Sequence, residues 1–201
     1  MEILEIHPET PHRRTLNQVV DTLEKGGLVI YPTDTVYGMG CSLYQKKAIQ
    51  KLYQIKEKSK FQSMTLICDS IQQVAQFTTL GNAEFRILKR CLPGPFTFIL
   101  PAKKEIAKLM LSRRKEIGVR IPDIELCRQL VDMLGHPLLN TSVNGDYPGE
   151  PDAAIVESGL ADILLDCGVL PEAGESTVVS LLEGEPVVER EGIGPVDLVW
   201  G

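Results

Sequence analysis

The fold class that this sequence predicts is an α/β protein built on a mixed, twisted sheet. Short apolar runs rich in β-branched residues are interspersed with segments of helical periodicity, which is typical of a sheet with helices packed on it. Strand signals follow one another directly near the C-terminus, so we expect antiparallel as well as parallel pairs. With 201 residues, of which 43% are hydrophobic and 24% charged, the chain is predicted to form one domain over residues 1–201.

Helices are predicted where apolar residues recur three or four positions apart. Leu16, Val19 and Leu23 show this spacing, and Gly26 and Gly27 follow as a stop signal. The predicted helices lie around residues 16–23, 48–53, 85–88, 126–134 and 153–160.

Strands are predicted where short apolar runs carry β-branched or aromatic residues. Residues 28–31 form such a run, and Pro32 ends it because proline has no amide hydrogen to donate to a sheet. The residues that follow Pro32 are predicted to be a polar turn, and the first residues, up to His7, a tail. The predicted strands are 28–31, 64–68, 96–100, 117–121, 138–140, 162–165, 177–181 and 186–190.

The charges are divided unevenly along the chain. Residues 1–128 carry 20 Lys and Arg against 13 Asp and Glu, a net charge of +7, whereas residues 129–201 carry one against 14, a net charge of −13. Two interpretations stay open: a basic face that binds nucleic acid, or two solvated faces of one domain.

Composition also bears on the compartment. No apolar run approaches the length of a membrane span, and the first ten residues lack the basic and apolar regions of a signal peptide. The five cysteines are widely spaced and odd in number, with no CxxC pair. We therefore expect a cytoplasmic protein that contacts no membrane, and neither a disulfide framework nor a metal site.

Polar residues at two predicted strand ends could bind a ligand. Thr33, Asp34 and Thr35 follow the strand 28–31, at the carboxyl end where open α/β sheets place their ligands. The segment Thr141-Ser142-Val143-Asn144-Gly145 likewise leaves a strand with hydroxyl and amide groups suited to sugar or phosphate oxygens. Ordinary turn chemistry is the alternative for both segments.

Cationic side chains form a second group of candidates. In Lys56-Glu57-Lys58-Ser59-Lys60 we expect an extended segment whose alternate lysines point to one side, toward a phosphate or simply toward solvent. Arg120 lies within the apolar run 117–121, and a buried guanidinium needs a partner. That partner is either a carboxylate of the protein or an anionic ligand.

Other chemistries find little support in the sequence. It contains no Gly-x-Ser-x-Gly elbow, no Walker P-loop and no Rossmann glycine fingerprint. The three histidines lie far from the segments described above. Cations and hydroxyls suit a site that binds a nucleotide and orients reactants, without a protein nucleophile.

Five segments, in this order, resemble the YrdC/YciO family, whose synthase members are threonylcarbamoyl-AMP synthases. They are YPTDTVYG at 31–38, PGPFT at 93–97, VRIP at 119–122, TSVN at 141–144 and STVV at 176–179. The resemblance spans nearly the whole chain and implies helices and a twisted sheet around a large, concave, basic cavity. It also implies synthesis of threonylcarbamoyl-AMP and pyrophosphate from L-threonine, bicarbonate and ATP, with Mg²⁺ carried by the nucleotide, for the modification of tRNA.

The resemblance implies a role for each matching side chain. Thr35 would hold L-threonine, with Ser176 or Thr177 lining the same side, and Arg120 would meet the carboxylate or carbamate. The nucleotide and its phosphates would be bound by Lys56, Lys58, Ser142, Asn144 and Arg190. Thr141 would bind either the substrate or the nucleotide.

Departures from the synthase pattern place the chain closer to the YciO branch. Synthases usually have Lys-x-Arg where this chain has Lys56-Glu57-Lys58, a Pro-Leu pair where it has Ser63-Met64, and often a histidine near Cys68. Lysine lacks the bidentate fork with which arginine binds phosphate. Two alternatives therefore accompany the synthase hypothesis: a weakly active or non-catalytic protein that binds double-stranded RNA or tRNA, and an ATP-dependent carbamoyl transfer to another amine.

Overall fold

The structure is a computed structural model that describes residues 1–58, 64–109, 115–143, 145 and 149–201, with the backbone alone for residues 56–58 and 107. The strands are β1 (Glu2–Glu5), β2 (Val29–Tyr31), β3 (Gly38–Ser42), β4 (Thr65–Ile67), β5 (Phe96–Pro101), β6 (Glu116–Arg120), β7 (Leu138–Ser142), β8 (Ile163–Asp166), β9 (Thr177–Ser180) and β10 (Val187–Arg190). The helices are α1 (Arg13–Glu24), α2 (Lys46–Lys58), α3 (Ile71–Phe77), α4 (Asn82–Cys91), α5 (Lys104–Leu109), α6 (Glu125–Leu134), α7 (Ala153–Glu157) and α8 (Asp197–Trp200). None of these helices combines the length and the apolar character needed to cross a bilayer.

All ten strands belong to one sheet, in the order β1-β8-β2-β3-β7-β4-β6-β5-β9-β10. The pairs β1–β8, β2–β8, β4–β6 and β5–β9 are parallel. The pairs β2–β3, β3–β7, β4–β7, β5–β6 and β9–β10 are antiparallel. The prediction of a mixed sheet with helices is therefore confirmed, and every strand and helix predicted from periodicity is present with small shifts of its ends.

Two strands were not predicted, and each has a physical reason. β1 lies in the segment expected to be a tail, where it adds to the edge of the sheet by pairing in parallel with β8. β3 contains two glycines, which ordinarily weaken a strand. Here a Cβ on Gly40 would lie 3.0 Å from the Tyr31 ring, so the missing side chain leaves room for that ring.

The sheet has an apolar core on each face. On the α1/α6 face, residues of α1 and α6 pack against the sheet residues Val29, Tyr31, Ile67, Leu138, Ile163 and Leu165. On the α2/α4 face, residues of α2 and α4 pack against the sheet residues Ile30, Met39, Cys41, Leu66, Phe98, Val119, Leu139 and Val179. Residues adjacent along a strand thus divide between the two cores, as the alternation of side chains in a strand requires.

Local capping groups fix where the helices begin and end. At the start of α3, the Ser70 hydroxyl accepts a hydrogen bond from the backbone N–H of Gln73 at 3.1 Å. Gly135 ends α6 with a φ of +74°, in the left-handed region that glycine adopts without strain. The end of α6 thereby turns the chain into β7, whose last residues are among the predicted site residues.

Candidate functional site

A strip of small and polar residues crosses the α1/α6 face of the sheet. Residues that pair across strands share a face, and the register pairs Gly38 with Ser142 and Gly40 with Asn140. Asn140 pairs onward with Thr65, and Thr65 with Gly118. Arg120 and Thr97 each lie one residue beyond the Val119–Phe98 pair, so they continue the strip. We define the polar strip as the following residues: Gly38, Gly40, Thr65, Thr97, Gly118, Arg120, Asn140 and Ser142.

Glycine at position 118 brings two threonines of the polar strip close together. A Cβ added there would lie 2.8 Å from the Thr65 methyl carbon and 3.2 Å from the Thr97 methyl carbon. The first distance is too short for any side chain, so only glycine fits between these threonines. The methyl groups close over Gly118 from both sides.

Asn140 of the polar strip forms a buried polar contact with Tyr31 on β2. The Tyr31 hydroxyl and the Asn140 side-chain amide lie 2.8 Å apart. With its nitrogen toward the Met39 carbonyl (3.2 Å), the amide oxygen accepts from the Thr141 backbone at 3.3 Å. Burial raises the pKa of the Tyr31 phenol well above its ordinary value, against the opposing charge of Arg120, so the phenol is neutral at physiological pH.

The turn after β2 is held by its own threonines. The Thr33 hydroxyl donates to the Val36 carbonyl at 2.7 Å, and the Thr35 amide donates to the Thr33 hydroxyl oxygen at 3.2 Å. The two threonine hydroxyls lie 3.0 Å apart. Thr35 is buried, and its backbone carbonyl accepts a hydrogen bond from the backbone N–H of Gly174 at 3.2 Å. The turn therefore fastens the segment that leads to Ser176.

Arg120 has the carboxylate partner that its burial requires. Its Nη2 donates to the Asp34 Oδ1 at 2.7 Å, and both side chains are nearly inaccessible, with exposed fractions of 4% and 10%. The Asp34 Oδ2 accepts from the Asp123 amide at 3.0 Å. The Arg120 Nε is buried without a hydrogen-bond partner among the described residues. The ion-pair alternative is thus observed, and binding of a ligand by the rest of the guanidinium stays a prediction.

Ser176 lies between a threonine and an arginine beside the polar strip. Its hydroxyl is 2.8 Å from the Thr97 hydroxyl, and the Arg190 Nη2 donates to the same oxygen at 3.2 Å. Arg190 also donates to the Ser176 carbonyl from Nε and Nη2, at 3.1 and 2.9 Å. Its Nη1 pairs with the Glu175 carboxylate at 3.0 Å. The ends of β5, β9 and β10 therefore converge on Ser176.

Two predicted site residues lie on the opposite face. Thr141 pairs with Met39, and Thr177 pairs with Phe96, so both belong to the α2/α4 face. The Thr177 hydroxyl donates to the Gly194 carbonyl at 2.7 Å and accepts from Gly192 at 3.0 Å. The Thr141 hydroxyl is buried with no partner in the described part of the chain. The structure does not bring these two hydroxyls to the polar strip.

The remaining predicted site residues differ in where they lie and in how much of each the structure describes. Ser142 lies on the polar strip and is half-buried. Asn144 lies outside the described residues, as do the side chains of Lys56 and Lys58. The backbone at Lys56 and Lys58 is the last turn of α2, so the expected extended segment is wrong for these two positions. The helix continues because Leu52 and Ile55 still pack into the α2/α4 core.

Two residues that surround the site, Thr97 and Glu175, were not among the predicted site residues. Asp34 was a candidate for ligand binding in the turn after β2, and the structure gives it an ion-pair partner instead. That partner, Arg120, is 86 positions away in sequence. Thr97 contacts Ser176, and Glu175 pairs with Arg190. The alternation in Phe96-Thr97-Phe98 is a signal for Thr97, because a single polar residue between two buried aromatics must face the other side of its strand.

Grouped metal ligands are not found among the residues that the structure describes: no three His, Cys, Asp or Glu side chains lie together there. The polar strip instead offers hydroxyl, amide and guanidinium groups. Such groups bind carboxylates and phosphates by charge-assisted hydrogen bonds.

Comparison with known proteins gives a consistent picture. The family model Sua5/YciO/YrdC, described as telomere recombination, matches residues 21–192. The YciO protein of Escherichia coli, described as uncharacterized, is 34% identical over 197 residues, which are 95% of each chain. Its crystal structure superposes with a TM-score of 0.88 over 99% of this chain and 100% of that one.

Synthases are more distant relatives. The threonylcarbamoyl-AMP synthase of Psychromonas ingrahamii is 33% identical over 132 residues, covering 64% of this chain and 69% of that protein. The P. abyssi Sua5 structure complexed with L-threonine has a TM-score of 0.84 at 24% identity. It covers 98% of this chain, whereas this chain covers 59% of Sua5. At that identity the likeness to Sua5 concerns the fold.

Proposed function

Because the chain belongs to the Sua5/YciO/YrdC family, we propose that it makes L-threonylcarbamoyl-AMP from L-threonine, bicarbonate and ATP. The observation that carries the proposal is the row Arg120, Thr97, Ser176 and Arg190, in which two guanidinium groups flank two hydroxyls at adjacent strand ends. A relative with the name of such a synthase and a Sua5 fold neighbour with bound L-threonine support the choice of substrate.

The reaction needs charge stabilisation more than a protein nucleophile. The amine of L-threonine adds to bicarbonate with loss of water to give a carbamate. A carbamate oxygen then attacks the α-phosphorus of ATP, and the bond to the β-phosphate oxygen breaks with release of pyrophosphate. Negative charge accumulates around phosphorus, where fixed cations and the Mg²⁺ that accompanies ATP stabilise it.

In this proposal each side chain takes the role that the resemblance to the family implies for it, unless it faces the other side of the sheet. Arg120 binds the carboxylate or carbamate with the guanidinium nitrogens that do not bond to Asp34. Thr35 and Ser176 line the L-threonine side. Arg190, Ser142, Asn144, Lys56 and Lys58 bind the nucleotide. Thr141 and Thr177 face the other side of the sheet and do not touch the substrate, and the Thr177 hydroxyl instead bonds to the backbone of Gly192 and Gly194.

Pyrophosphate release tests the proposal directly. We expect release from ATP–Mg²⁺ only when both L-threonine and bicarbonate are present, and loss of release in Arg190→Gln. Arg86→Gln is the matched control, because Arg86 is exposed on α4, which packs on the opposite face of the sheet. Release that is absent from the wild type, or that does not depend on L-threonine, would contradict the proposal.

The charge distribution supports a second candidate, the binding of double-stranded RNA or tRNA in the cytoplasm. Residues 1–128 carry a net charge of +7, and Lys46, Lys47 and Lys51 are exposed on α2. Binding of this kind weakens steeply as salt rises, because it releases counterions from the phosphates. Titration of a double-stranded RNA at several salt concentrations tests it, and affinity that is absent or independent of salt counts against it.

A further inference from the structure

The hydroxyl of Thr97, on the polar strip, forms a buried pair with the hydroxyl of Ser176. Their oxygens are 2.8 Å apart, and the two residues are 6% and 5% exposed. The residues come from different strands, because Thr97 is in β5 and Ser176 directly precedes β9. The parallel pairing of Phe96 with Thr177 holds the two oxygens at this distance.

Arg190 determines how the Ser176 oxygen is used. Its Nη2 lies 3.2 Å from that oxygen and 2.9 Å from the Ser176 carbonyl. A guanidinium only donates hydrogen bonds, so the Ser176 hydroxyl oxygen accepts from Arg190. The ion pair with Glu175 at 3.0 Å and the two bonds to the Ser176 carbonyl restrain the arginine in this position.

The pair has one hydroxyl proton more than its hydrogen bonds to the described residues use. Each hydroxyl carries one proton, and only one of the two protons can lie between the two oxygens. Among the described residues, the hydrogen bonds of these hydroxyls are the one that joins them and the one from Arg190. One hydroxyl proton therefore remains to be donated. Either hydroxyl can be the donor across the pair. When Thr97 donates, the Ser176 oxygen receives two hydrogen bonds and the free proton belongs to Ser176, whereas the free proton belongs to Thr97 when Ser176 donates.

We infer that Thr97 donates its proton to Ser176 and is thereby a positioning residue, which together with Arg190 makes the Ser176 hydroxyl a donor to an anionic oxygen of the substrate. The inference rests on the proposed function, and that oxygen belongs to the carboxylate of L-threonine or to the carbamate formed from it. Thr97 acts through Ser176 and does not touch the substrate itself. A hydroxyl fixed in this way binds an acceptor in preference to an ammonium group.

Titration calorimetry of three variants tests the inference. In Thr97→Val, which keeps the shape and removes the hydroxyl, we expect the Kd for L-threonine to rise roughly 3- to 10-fold, the usual effect of one lost hydrogen bond. Thr97→Ser should restore the affinity, and the Kd for ATP–Mg²⁺ should stay unchanged in both. Thr78→Val is the matched control, because Thr78 is 1% exposed and its hydroxyl donates to the Val74 carbonyl at 2.8 Å at the end of α3.

Each outcome distinguishes between explanations. If Thr97→Val binds L-threonine more weakly than the wild type even without bicarbonate, the contact is with the carboxylate. If its affinity falls only when bicarbonate and ATP are also present, the contact is with the carbamate. Equal affinity in the wild type and Thr97→Val, or an equal loss in Thr78→Val, overturns the inference. A wild-type chain that binds no L-threonine under any of these conditions overturns the proposed function itself. Should Thr97→Val fail to fold, Thr97→Ala takes its place. Ser176→Ala should raise the Kd for L-threonine at least as much as the Thr97 variant, and a smaller rise would overturn the inference because Thr97 would then be the donor to the substrate.

Discussion

The Asp34 carboxylate divides its two oxygens between Arg120, at 2.7 Å from Nη2, and the Asp123 amide, at 3.0 Å. One side chain therefore neutralises the buried guanidinium at the end of β6 and joins the turn after β2 to the segment that precedes α6. The carboxylate meets one edge of the guanidinium, and the Nε is left without a hydrogen-bond partner in the described part of the chain. The ion pair and a ligand contact are thus compatible in one arginine.

Removal of the Asp34 charge should destabilise the fold. In Asp34→Asn the guanidinium of Arg120, 4% exposed, loses its counter-charge, and we expect the free energy of unfolding to fall by about 3–5 kcal/mol. Urea denaturation measures this change. Glu125→Gln is the control, because it breaks the half-exposed pair with Arg128 and should cost less than about 1 kcal/mol. Similar losses in both variants would contradict the buried-pair argument.

Replacement of Gly118 should disturb the polar strip. A Cβ in Gly118→Ala would lie 2.8 Å from the Thr65 methyl carbon, and we expect the overpacking to lower the free energy of unfolding by about 1–3 kcal/mol. Gly145→Ala is the control, since its nearest atoms lie at an ordinary 3.4 Å. Thermal and urea unfolding of both variants check the expectation. An unchanged Gly118→Ala would mean that the two threonines move apart freely.

Lys56 tests the nucleotide part of the proposal. Lys56→Ala should weaken the binding of ATP–Mg²⁺ by about 1–3 kcal/mol, the usual cost of a lost charge-assisted contact. Lys51→Ala, exposed on the same helix, removes the same charge and should leave the affinity nearly unchanged. Calorimetry of the two variants separates a specific contact from a general effect of charge. Equal losses would make Lys56 an ordinary surface lysine.

Alkaline pH should destabilise the protein through its buried thiols. Burial raises the pKa of Cys41 from 9.0 to about 12. Since the thiol ionises more readily in the unfolded chain, its contribution to stability is complete below pH 9 and is lost as the pH rises toward 12. Burial also raises the pKa of Cys68 and Cys127, so several thiols act in the same direction.

The Cys41 contribution can be isolated by substitution. Between about pH 9 and 12, the free energy of unfolding should fall less steeply with pH in Cys41→Ala than in the wild type. The two slopes should differ by about 1.4 kcal/mol per pH unit, the effect of one titrating group. Urea denaturation in the presence of a reductant, repeated across this pH range, measures the two slopes. The slopes should coincide below about pH 8, where the thiol is protonated in both states. Parallel slopes at high pH would show that Cys41 ionises as easily in the folded chain.

Periodicity in the sequence located most of the sheet and its helices. Leu16, Val19 and Leu23 predicted α1 because a buried helical stripe leaves a direct trace in the spacing of apolar residues. The β3 strand left no such trace. Its glycines form a strand only because Tyr31 and Asn140, from other strands, occupy the space where their side chains would be.

The sequence by itself determined that Arg120 needs a partner and that Ser142, Ser176 and Arg190 are candidates for binding. The tertiary structure alone decided that Asp34 is that partner, and that Thr97 and Arg190 meet at Ser176. It also placed Ser142 and Thr141 on opposite faces of the sheet. Local spacing dictates the alternation of side chains along a strand, but which face carries the polar strip depends on strand pairing between residues far apart in the chain. That pairing is fixed by packing across the whole sheet, on which a short stretch of sequence carries no information.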